Sequence, residues 1–96
     1  MEPTKKLNDL TTNNTYIVQG YSDPINSKFG SNYILLVCEK KDSSETFEMW
    51  STNSLAEYID NVKPKGKFTF IVNERNNVKY PVIENHKRER NFNMLN

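Results

Sequence analysis

The sequence of 96 residues contains little cysteine, histidine and glycine, and each shortage excludes a class of protein. Its single cysteine, Cys38, cannot form an intramolecular disulfide. One cysteine and one histidine, His86, cannot supply the ligands of a usual structural zinc site. The chain has no Gly-Lys-Ser/Thr phosphate-binding loop, and its carboxylates form no recognisable catalytic pair. We therefore expect a protein that is not an enzyme and that uses neither a metal nor another cofactor.

Long apolar runs and an excess of charge are also missing. The longest apolar stretch, residues 34–38, is far shorter than the roughly 20 residues that span a bilayer. The first ten residues hold no apolar run of signal-peptide length. We expect an intracellular protein, in the cytoplasm or nucleus, that does not contact a membrane. The 13 Lys+Arg and 12 Asp+Glu give a net charge of +1, so nucleic-acid binding would require local clustering of the basic residues.

The composition predicts one small domain with an aromatic-rich core. Only 35% of the residues are hydrophobic, and aromatics, at 11%, bury a large area each. We predict a flexible N-terminus over residues 1–9, a folded domain over residues 10–84, and a polar, basic C-terminal tail over residues 85–96. Leu7 and Leu10 are expected to form a hydrophobic plug that leads into the first strand.

Residue patterns along the domain predict five strands and one helix. Gly20 indicates a bulge or a sharp bend in the first strand, and Pro81 places the last strand at an edge or a bulge. The spacing of apolar residues after Asn53 and Ser54, either of which can cap a helix, predicts a short helix that ends near residues 63–66. The strands are predicted over residues 16–21, 32–40, 46–51, 67–72 and 78–83, with the helix between the third and the fourth.

This order, β-β-β-α-β-β, is that of the five-stranded oligonucleotide-binding (OB) barrel, in which the helix closes one end of the barrel. Two other folds fit less well. An SH3-like barrel has no full helix at this point. A ferredoxin-like fold requires a helix after the first strand, where residues 22–30 are short and rich in turn-forming residues. We therefore predict an all-β OB-fold domain.

Short motifs in the chain resemble those of small OB-fold single-stranded-DNA-binding proteins of viral or replication-factor type. The Lys28-Phe29-Gly30 sequence lies shortly before the strand that begins Tyr33-Ile34, which is similar to the entrance of the second strand in those proteins. Leu10 ahead of residues 16–18, and Trp50 ahead of residues 54–59, fit the same layout, so the resemblance covers residues 7–83. It implies nucleic-acid binding without catalysis.

Single-strand binding needs cations for phosphates and exposed rings for bases. In an OB fold the ligand crosses strands two and three and is flanked by the loops that join strands one and two and strands four and five. In the first loop, Lys28 would meet phosphate and Phe29 would stack on a base, unless Phe29 folds over the core. Tyr21 borders this loop.

Further candidates lie on the strands and in the second loop. If Phe47 points into the core, alternation turns Trp50 outward onto the binding face, although Trp50 could instead pack beneath the helix. Tyr33 could face either way. At the second loop Arg75 would bind phosphate or stack on a base, unless it is only a solvated turn residue, and Lys79 lies on the strand that follows. The predicted nucleic-acid contacts are Tyr21, Lys28, Phe29, Tyr33, Trp50, Arg75 and Lys79.

Two functions are consistent with these patterns. The first is a non-catalytic, largely sequence-independent binder of single-stranded nucleic acid, DNA or RNA, with a role in replication or strand protection. The second is a protein-interaction OB module or a subunit of a larger assembly, favoured by the nearly neutral charge. A homo-oligomer is compatible with both.

Overall fold

The computed structural model describes residues 5–28 and 30–84, which form a mostly β structure with one α-helix. No helix within these residues is long and apolar enough to cross a membrane. A short 3-10 helix over Leu7–Asp9 precedes the first strand. The remaining elements are β1 (Thr15–Tyr21), β2 (Ile25–Ser27), β3 (Gly30–Asn32), β4 (Ile34–Glu39), β5 (Asp42–Trp50), α1 (Asn53–Val62), β6 (Phe68–Arg75) and β7 (Val78–Glu84).

Five of the strands form one antiparallel sheet in the order β5-β4-β1-β6-β7. The prediction of a mostly β domain with a five-stranded sheet and a helix is therefore confirmed. Among residues 5–28 and 30–84, no ladder joins β5 to β7, so the closed barrel expected from the sequence is not observed.

The bulge predicted at Gly20 is present in β1. The pairing of β1 with β4 shifts between Val18 and Gly20, so that Gln19 is the extra residue. A bulge increases the local twist and bends the strand. Pro81 lies in β7, which is an edge strand of the sheet. Proline has no N–H to donate to a neighbouring strand, so it is tolerated in an edge strand.

The core lies on one face of the sheet, where alternate residues of β1, β4 and β6 are buried. Tyr16 is its centre: its ring stacks on Phe70 with centroids 5.7 Å apart and meets Phe47 edge-on at 6.3 Å. Met49, two residues after Phe47, is fully buried, as alternation predicts. The other buried apolar residues are Leu7, Leu10, Val18, Tyr33, Leu35, Val37, Leu55, Ala56, Ile59, Phe68 and Val72.

The segment before β1 spans the gap between the two edge strands. The Lys5 N–H donates to the Glu48 carbonyl at 3.2 Å, and Lys5 forms a parallel bridge with Met49 of β5. The 3-10 helix that follows contacts β7. Leu7 and Leu10 are buried between these contacts, which confirms the hydrophobic plug. Leu7, which lies in the segment predicted to be flexible, is therefore part of the core.

The helix α1 begins and ends close to the predicted positions but with a different cap. Thr52, rather than Asn53 or Ser54, is the N-cap, and its side chain accepts a hydrogen bond from the Leu55 N–H at 3.3 Å. Lys63 ends the helix in the left-handed region, with φ of 49°. The apolar stripe of the helix packs on the core. This packing stabilises the helix, which is too short to be stable alone.

Two connections are more regular than the sequence suggests. Residues 22–30, predicted as a loop, contain β2 and lead into β3, which pairs with it as a small hairpin. The turn between β6 and β7 comprises only Asn76 and Asn77, which both have positive φ. Such a pair suits the tight hairpin turn whose twist matches that of the strands.

Candidate nucleic-acid interface

Alternate residues of β4 and β5 point away from the core and form an apolar outer face. Ile34 pairs with Trp50, and Leu36 pairs with Glu48 on one side and with Gly20 of β1 on the other. Leu36 is 39% exposed, and Trp50 is half-buried. This outer face carries Trp50 where alternation predicted it, and the absence of a side chain at Gly20 leaves the space over Leu36 open.

Tyr21 and Tyr33 form an edge-to-face pair where β1 ends, with ring centroids 5.7 Å apart. Tyr33 is only 6% exposed, and its hydroxyl donates to Oδ1 of Asp60 on α1. That hydrogen bond, together with burial and the carboxylate charge, raises the pKa of Tyr33 to about 12. Tyr21 is 37% exposed, and its hydroxyl donates to the Pro64 carbonyl at 2.8 Å. The pair therefore fastens the end of the sheet to the helix and leaves part of Tyr21 open.

Two hollows lie on either side of Tyr21. The first, of about 440 Å³, lies over the outer face and is lined by Gly20, Tyr21, Ser22, Ile34, Leu36 and Glu48. The second, of about 420 Å³, lies between the β2–β3 end and α1, and is lined by Tyr21, Ser22, Asp23, Pro24, Ser31, Tyr33, Ile59, Asp60 and Lys63. Both volumes are within the range of small-ligand sites in proteins.

Basic side chains border these hollows. Lys63 lines the second hollow, and its ammonium donates to the Asp60 main-chain carbonyl at 3.1 Å. The hydrogen bond from Tyr21 to Pro64 holds the segment after the helix beside the hollow, and Lys65 follows in that segment with its side chain exposed. Lys28, in the turn between β2 and β3, is also exposed. A ligand bound at Tyr21 would therefore have the Lys63 side chain beside it.

Arg75 and Lys79 lie at the other end of the sheet. Tyr21 pairs with Leu35 at one end of β1, and Thr15 at its other end pairs with Ile71 of β6. Arg75 lies further along β6, so a path of roughly 30 Å along the strands separates it from Tyr21. The sheet therefore keeps the two predicted groups of ligand contacts apart.

Lys79 holds the N-terminal segment in place. Its ammonium donates to the main-chain carbonyls of Asn8 at 3.1 Å and Leu10 at 2.6 Å. Both bonds satisfy carbonyls beside the buried plug. Lys79 thus has a structural role, and its charge is engaged away from the outer face of β4 and β5.

The structure therefore brings together some of the predicted contacts and separates others. Tyr21, Tyr33 and Trp50 lie at the end of the sheet that carries the β2–β3 hairpin, with Lys28 in the hairpin turn. Of these, Tyr33 is buried, so only a small part of its side chain is open to a ligand. Phe29 lies outside the described residues, as does the basic tail over residues 85–96.

Other residues of this region were not predicted from the sequence. Ile34 and Leu36 lie within a continuous apolar run, where alternation does not reveal which residues face outward. Glu48 has no sequence signal beyond its place in β5. Asp60 and Lys63 reach the hollow only because Tyr33 and Tyr21 fix α1 against the end of the sheet.

A third hollow, of about 600 Å³, lies at the β4–β5 turn and is lined by Lys5, Glu39, Asp42, Ser44, Glu45, Thr46 and Phe47. Hydrogen bonds from the Ser44 hydroxyl and N–H hold the pKa of Asp42 below its usual value. The Lys5 ammonium lies 4.6 Å from the centroid of the Phe47 ring. Within residues 5–28 and 30–84, no group of His, Cys, Asp and Glu side chains could hold a metal ion.

Comparisons of the chain with models of protein families, with curated proteins and with solved structures give no match.

Proposed function

We propose that this domain is an OB fold that binds single-stranded nucleic acid, DNA in the first instance, on the outer face of β4 and β5. Binding is non-catalytic and largely independent of sequence. The bases pack on the apolar face and on Tyr21, and the phosphates contact lysines around the β2–β3 hairpin and the end of α1.

The strand arrangement supports the fold assignment. In the sheet, β1, β4 and β5 are consecutive antiparallel neighbours, α1 follows, and β6 and β7 form a hairpin on the other side of β1. An OB fold is a partly open barrel, and its ligand face is formed by the second and third strands, which correspond here to β4 and β5. The N-terminal segment bridges the opening between the edge strands.

The observation that carries the proposal is the position of Trp50. It is half-buried on the outer face and pairs with Ile34, which lines the hollow above Leu36. A solvent-facing strip of Trp, Ile and Leu costs hydrophobic free energy unless a ligand covers it. Bases offer flat apolar surfaces, and stacking of one base on an aromatic ring is worth roughly 1–3 kcal/mol.

The lysines near the outer face and Glu48 within it favour nucleic-acid binding of moderate affinity that depends on salt concentration. Lys63 lines the hollow on the helix side of Tyr21, Lys65 lies two residues further along the chain and Lys28 lies in the hairpin turn, whereas Glu48 lies within the face itself. Phosphates would therefore run along the rim, and bases would cover the centre. With two or three phosphates bound, the logarithm of affinity should fall with the logarithm of salt with a slope of about −1.4 to −2.

Trp50 is the only tryptophan, so its fluorescence reports directly on this face. We expect mixed-sequence single strands of about twelve nucleotides, within the site sizes of OB folds, to quench or shift its emission with saturable binding. The same titration at several salt concentrations should give the slope stated above. Unchanged Trp50 emission and affinity independent of salt would contradict the proposal.

Two variants provide controls for that titration. Trp50→Leu keeps an apolar side chain but removes the large ring, and labelled strands should bind it roughly 5- to 100-fold more weakly by anisotropy. Arg75→Gln removes a cation at the far end of the sheet and should leave affinity nearly unchanged. Equal weakening by both variants would indicate general electrostatic attraction rather than binding on this face.

A second candidate function is protein interaction through β7. The outer side chains Val78, Tyr80 and Val82 are exposed on this edge strand, at 62%, 40% and 39%. An exposed apolar edge can pair with another chain. Light scattering during size-exclusion chromatography would test this function. A stable oligomer that Tyr80→Lys dissociates would support it, and a monomer at all concentrations would count against self-association.

A further inference from the structure

The two hollows beside Tyr21 are adjacent compartments of one surface. Tyr21 and Ser22 line both of them, so Tyr21, at the end of β1, forms a partition between a space over the outer face of the sheet and a space against the helix. Ser22 is fixed in the partition, because its N–H donates to the Ile34 carbonyl at 2.9 Å and its Oγ accepts from the Ile34 N–H at 3.0 Å. A single strand that leaves the outer face around the end of β1 would meet the two compartments in succession.

The Tyr21 partition is held in position before any ligand binds. Its hydroxyl donates to the Pro64 carbonyl, and its ring meets Tyr33 edge-on, with an angle of 84° between the ring planes. Tyr33 is in turn bound to Asp60 of the helix. A ring fixed at both ends loses little rotamer entropy on binding, so its surface is preorganised for stacking.

Each compartment carries a carboxylate. Of the described residues that line the first, Glu48 alone is charged, and it stands beside Leu36 and Ile34. The second compartment has Asp23 and Asp60, with Lys63 at its margin. One oxygen of the Asp60 carboxylate accepts the Tyr33 hydroxyl, which leaves Oδ2 of the same group to accept from a ligand.

Carboxylates favour some parts of a nucleotide over others. An ionised carboxylate accepts hydrogen bonds and cannot donate them, and it repels phosphate. Cytosine, adenine and guanine carry exocyclic amino groups that donate, and acidic side chains pair with the cytosine N4 amine. Thymine and uracil offer one N–H between two carbonyl oxygens, which a carboxylate repels.

We propose that each compartment takes one base of a bound strand, with Tyr21 between two successive bases, and that Glu48 and Asp60 select bases with exocyclic amines over thymine and uracil. This inference rests on the proposed single-strand binding. It adds a preference for base type to an interaction that otherwise depends little on sequence. Tyr21 acts as a stacking residue, and the two carboxylates are specificity-determining residues.

The test compares labelled oligo-dC, oligo-dA and oligo-dT of about twelve nucleotides on the full chain by fluorescence anisotropy. Wild-type protein should bind oligo-dC and oligo-dA roughly fivefold or more tightly than oligo-dT, since a matched base contact gives at least this discrimination. The preference ratio, rather than the absolute affinity, is the readout, because removing a negative charge strengthens binding to every strand.

Variants then assign the preference to residues. Glu48→Gln and Asp60→Asn keep the shape of each side chain, and the amide that replaces the Asp60 carboxylate still has an oxygen to accept the Tyr33 hydroxyl. Each should reduce the ratio of oligo-dC to oligo-dT affinity by about twofold or more, and the double variant should bring it near one. Glu57→Gln, on an exposed position of α1 outside both hollows, is the matched control and should leave the ratio unchanged.

The outcomes separate this inference from the proposed function. Equal wild-type affinities for the three strands would overturn the base preference and leave single-strand binding intact. A preference that survives the double variant would overturn the roles of Glu48 and Asp60. Failure of every strand to bind would overturn the proposed function and this inference with it.

Discussion

Each end of the sheet carries a partly exposed tyrosine and a lysine, but their contacts differ between the two ends. At the end that bears the β2–β3 hairpin, Tyr21 is 37% exposed beside two hollows, one of which Lys63 lines. At the β6–β7 end, Tyr80 is 40% exposed, but the neighbouring cation, Lys79, is bound to two carbonyls of the N-terminal segment. The two tyrosines are therefore almost equally exposed, but Tyr21 lies beside two hollows and Tyr80 lies beside a lysine that holds the N-terminal segment.

An aromatic residue next to a cation in the sequence is therefore not enough to propose a binding site. The amine of Lys79 stabilises the segment that bridges the edge strands, so it stays where the fold requires it. At the hairpin end, Tyr21 is held by its hydrogen bond to the Pro64 carbonyl and by its contact with Tyr33, rather than by a lysine ammonium. The β6–β7 end should thus respond to mutation in stability and the hairpin end in affinity.

The largest effect is expected for Leu7→Ala. Leu7 is buried beneath the bridging segment, and truncation of a buried leucine leaves a cavity, so the free energy of unfolding should fall by about 2–4 kcal/mol. Urea denaturation followed by Trp50 fluorescence measures the change. Val62→Ala, at an exposed apolar position, should cost less than about 0.5 kcal/mol. Equal costs for the two variants would show that the bridging segment does not stabilise the fold.

Next is Lys79→Met, which keeps the aliphatic stem and removes the ammonium. Loss of two hydrogen bonds from a charged donor to carbonyls should reduce the free energy of unfolding by about 2 kcal/mol. The folded variant should bind single strands with unchanged affinity and salt slope. Lys67→Met, at an exposed position between α1 and β6, serves as the control and should leave stability nearly unchanged. A reduced salt slope in Lys79→Met would instead place Lys79 on a phosphate.

A matched pair of tyrosine substitutions compares the two ends directly in affinity. Tyr21→Leu should weaken single-strand binding by about 1–2 kcal/mol, because a stacking surface at the proposed face is lost. Tyr80→Leu removes a ring of similar exposure from the other end and should change affinity by less than about 0.3 kcal/mol. Anisotropy of a labelled strand measures both. A larger loss from Tyr80→Leu would reverse the assignment of the binding face.

The smallest effect is a pH dependence at Tyr33. The pKa of this hydroxyl is raised to about 12 in the folded protein, against the ordinary value of 10.0. The folded state therefore holds the proton more tightly, and the stabilisation is present below about pH 10 and disappears as pH rises towards 12. Denaturation midpoints of wild type and Tyr33→Phe should converge over this window. A constant difference between them from pH 8 to 11.5 would contradict the role of the Asp60 hydrogen bond.

Local sequence signals predicted much of the fold. Gly20 marks the bulge because a residue without a side chain suits a bent strand, and the change of period after Trp50 marks the helix. Thr52 was not identified as the cap because Thr, Asn and Ser occur in succession and each can cap. The β2–β3 hairpin is short and polar, so its residues carry no alternation of apolar and polar types.

The candidate site was harder to predict because its residues depend on tertiary contacts. Lys79 has the sequence context of a phosphate-binding residue, and only the approach of Asn8 and Leu10 gives it a structural role. Tyr33 lies two residues before Leu35, so it is buried on the same side, but the continuous apolar run does not show which of its residues face the core. Trp50 was predictable because the alternation in β5 is clear.

The most direct test of the account is a map of amide chemical-shift changes as a mixed-sequence single strand is added to the isotope-labelled protein. The largest changes should cluster at Tyr21, Ser22, Leu36, Glu48 and Trp50, and residues 73–80 should change little. Changes centred on residues 73–80, or no changes at a saturating concentration of strand, would contradict the assignment of the outer face of β4 and β5 as a nucleic-acid-binding surface.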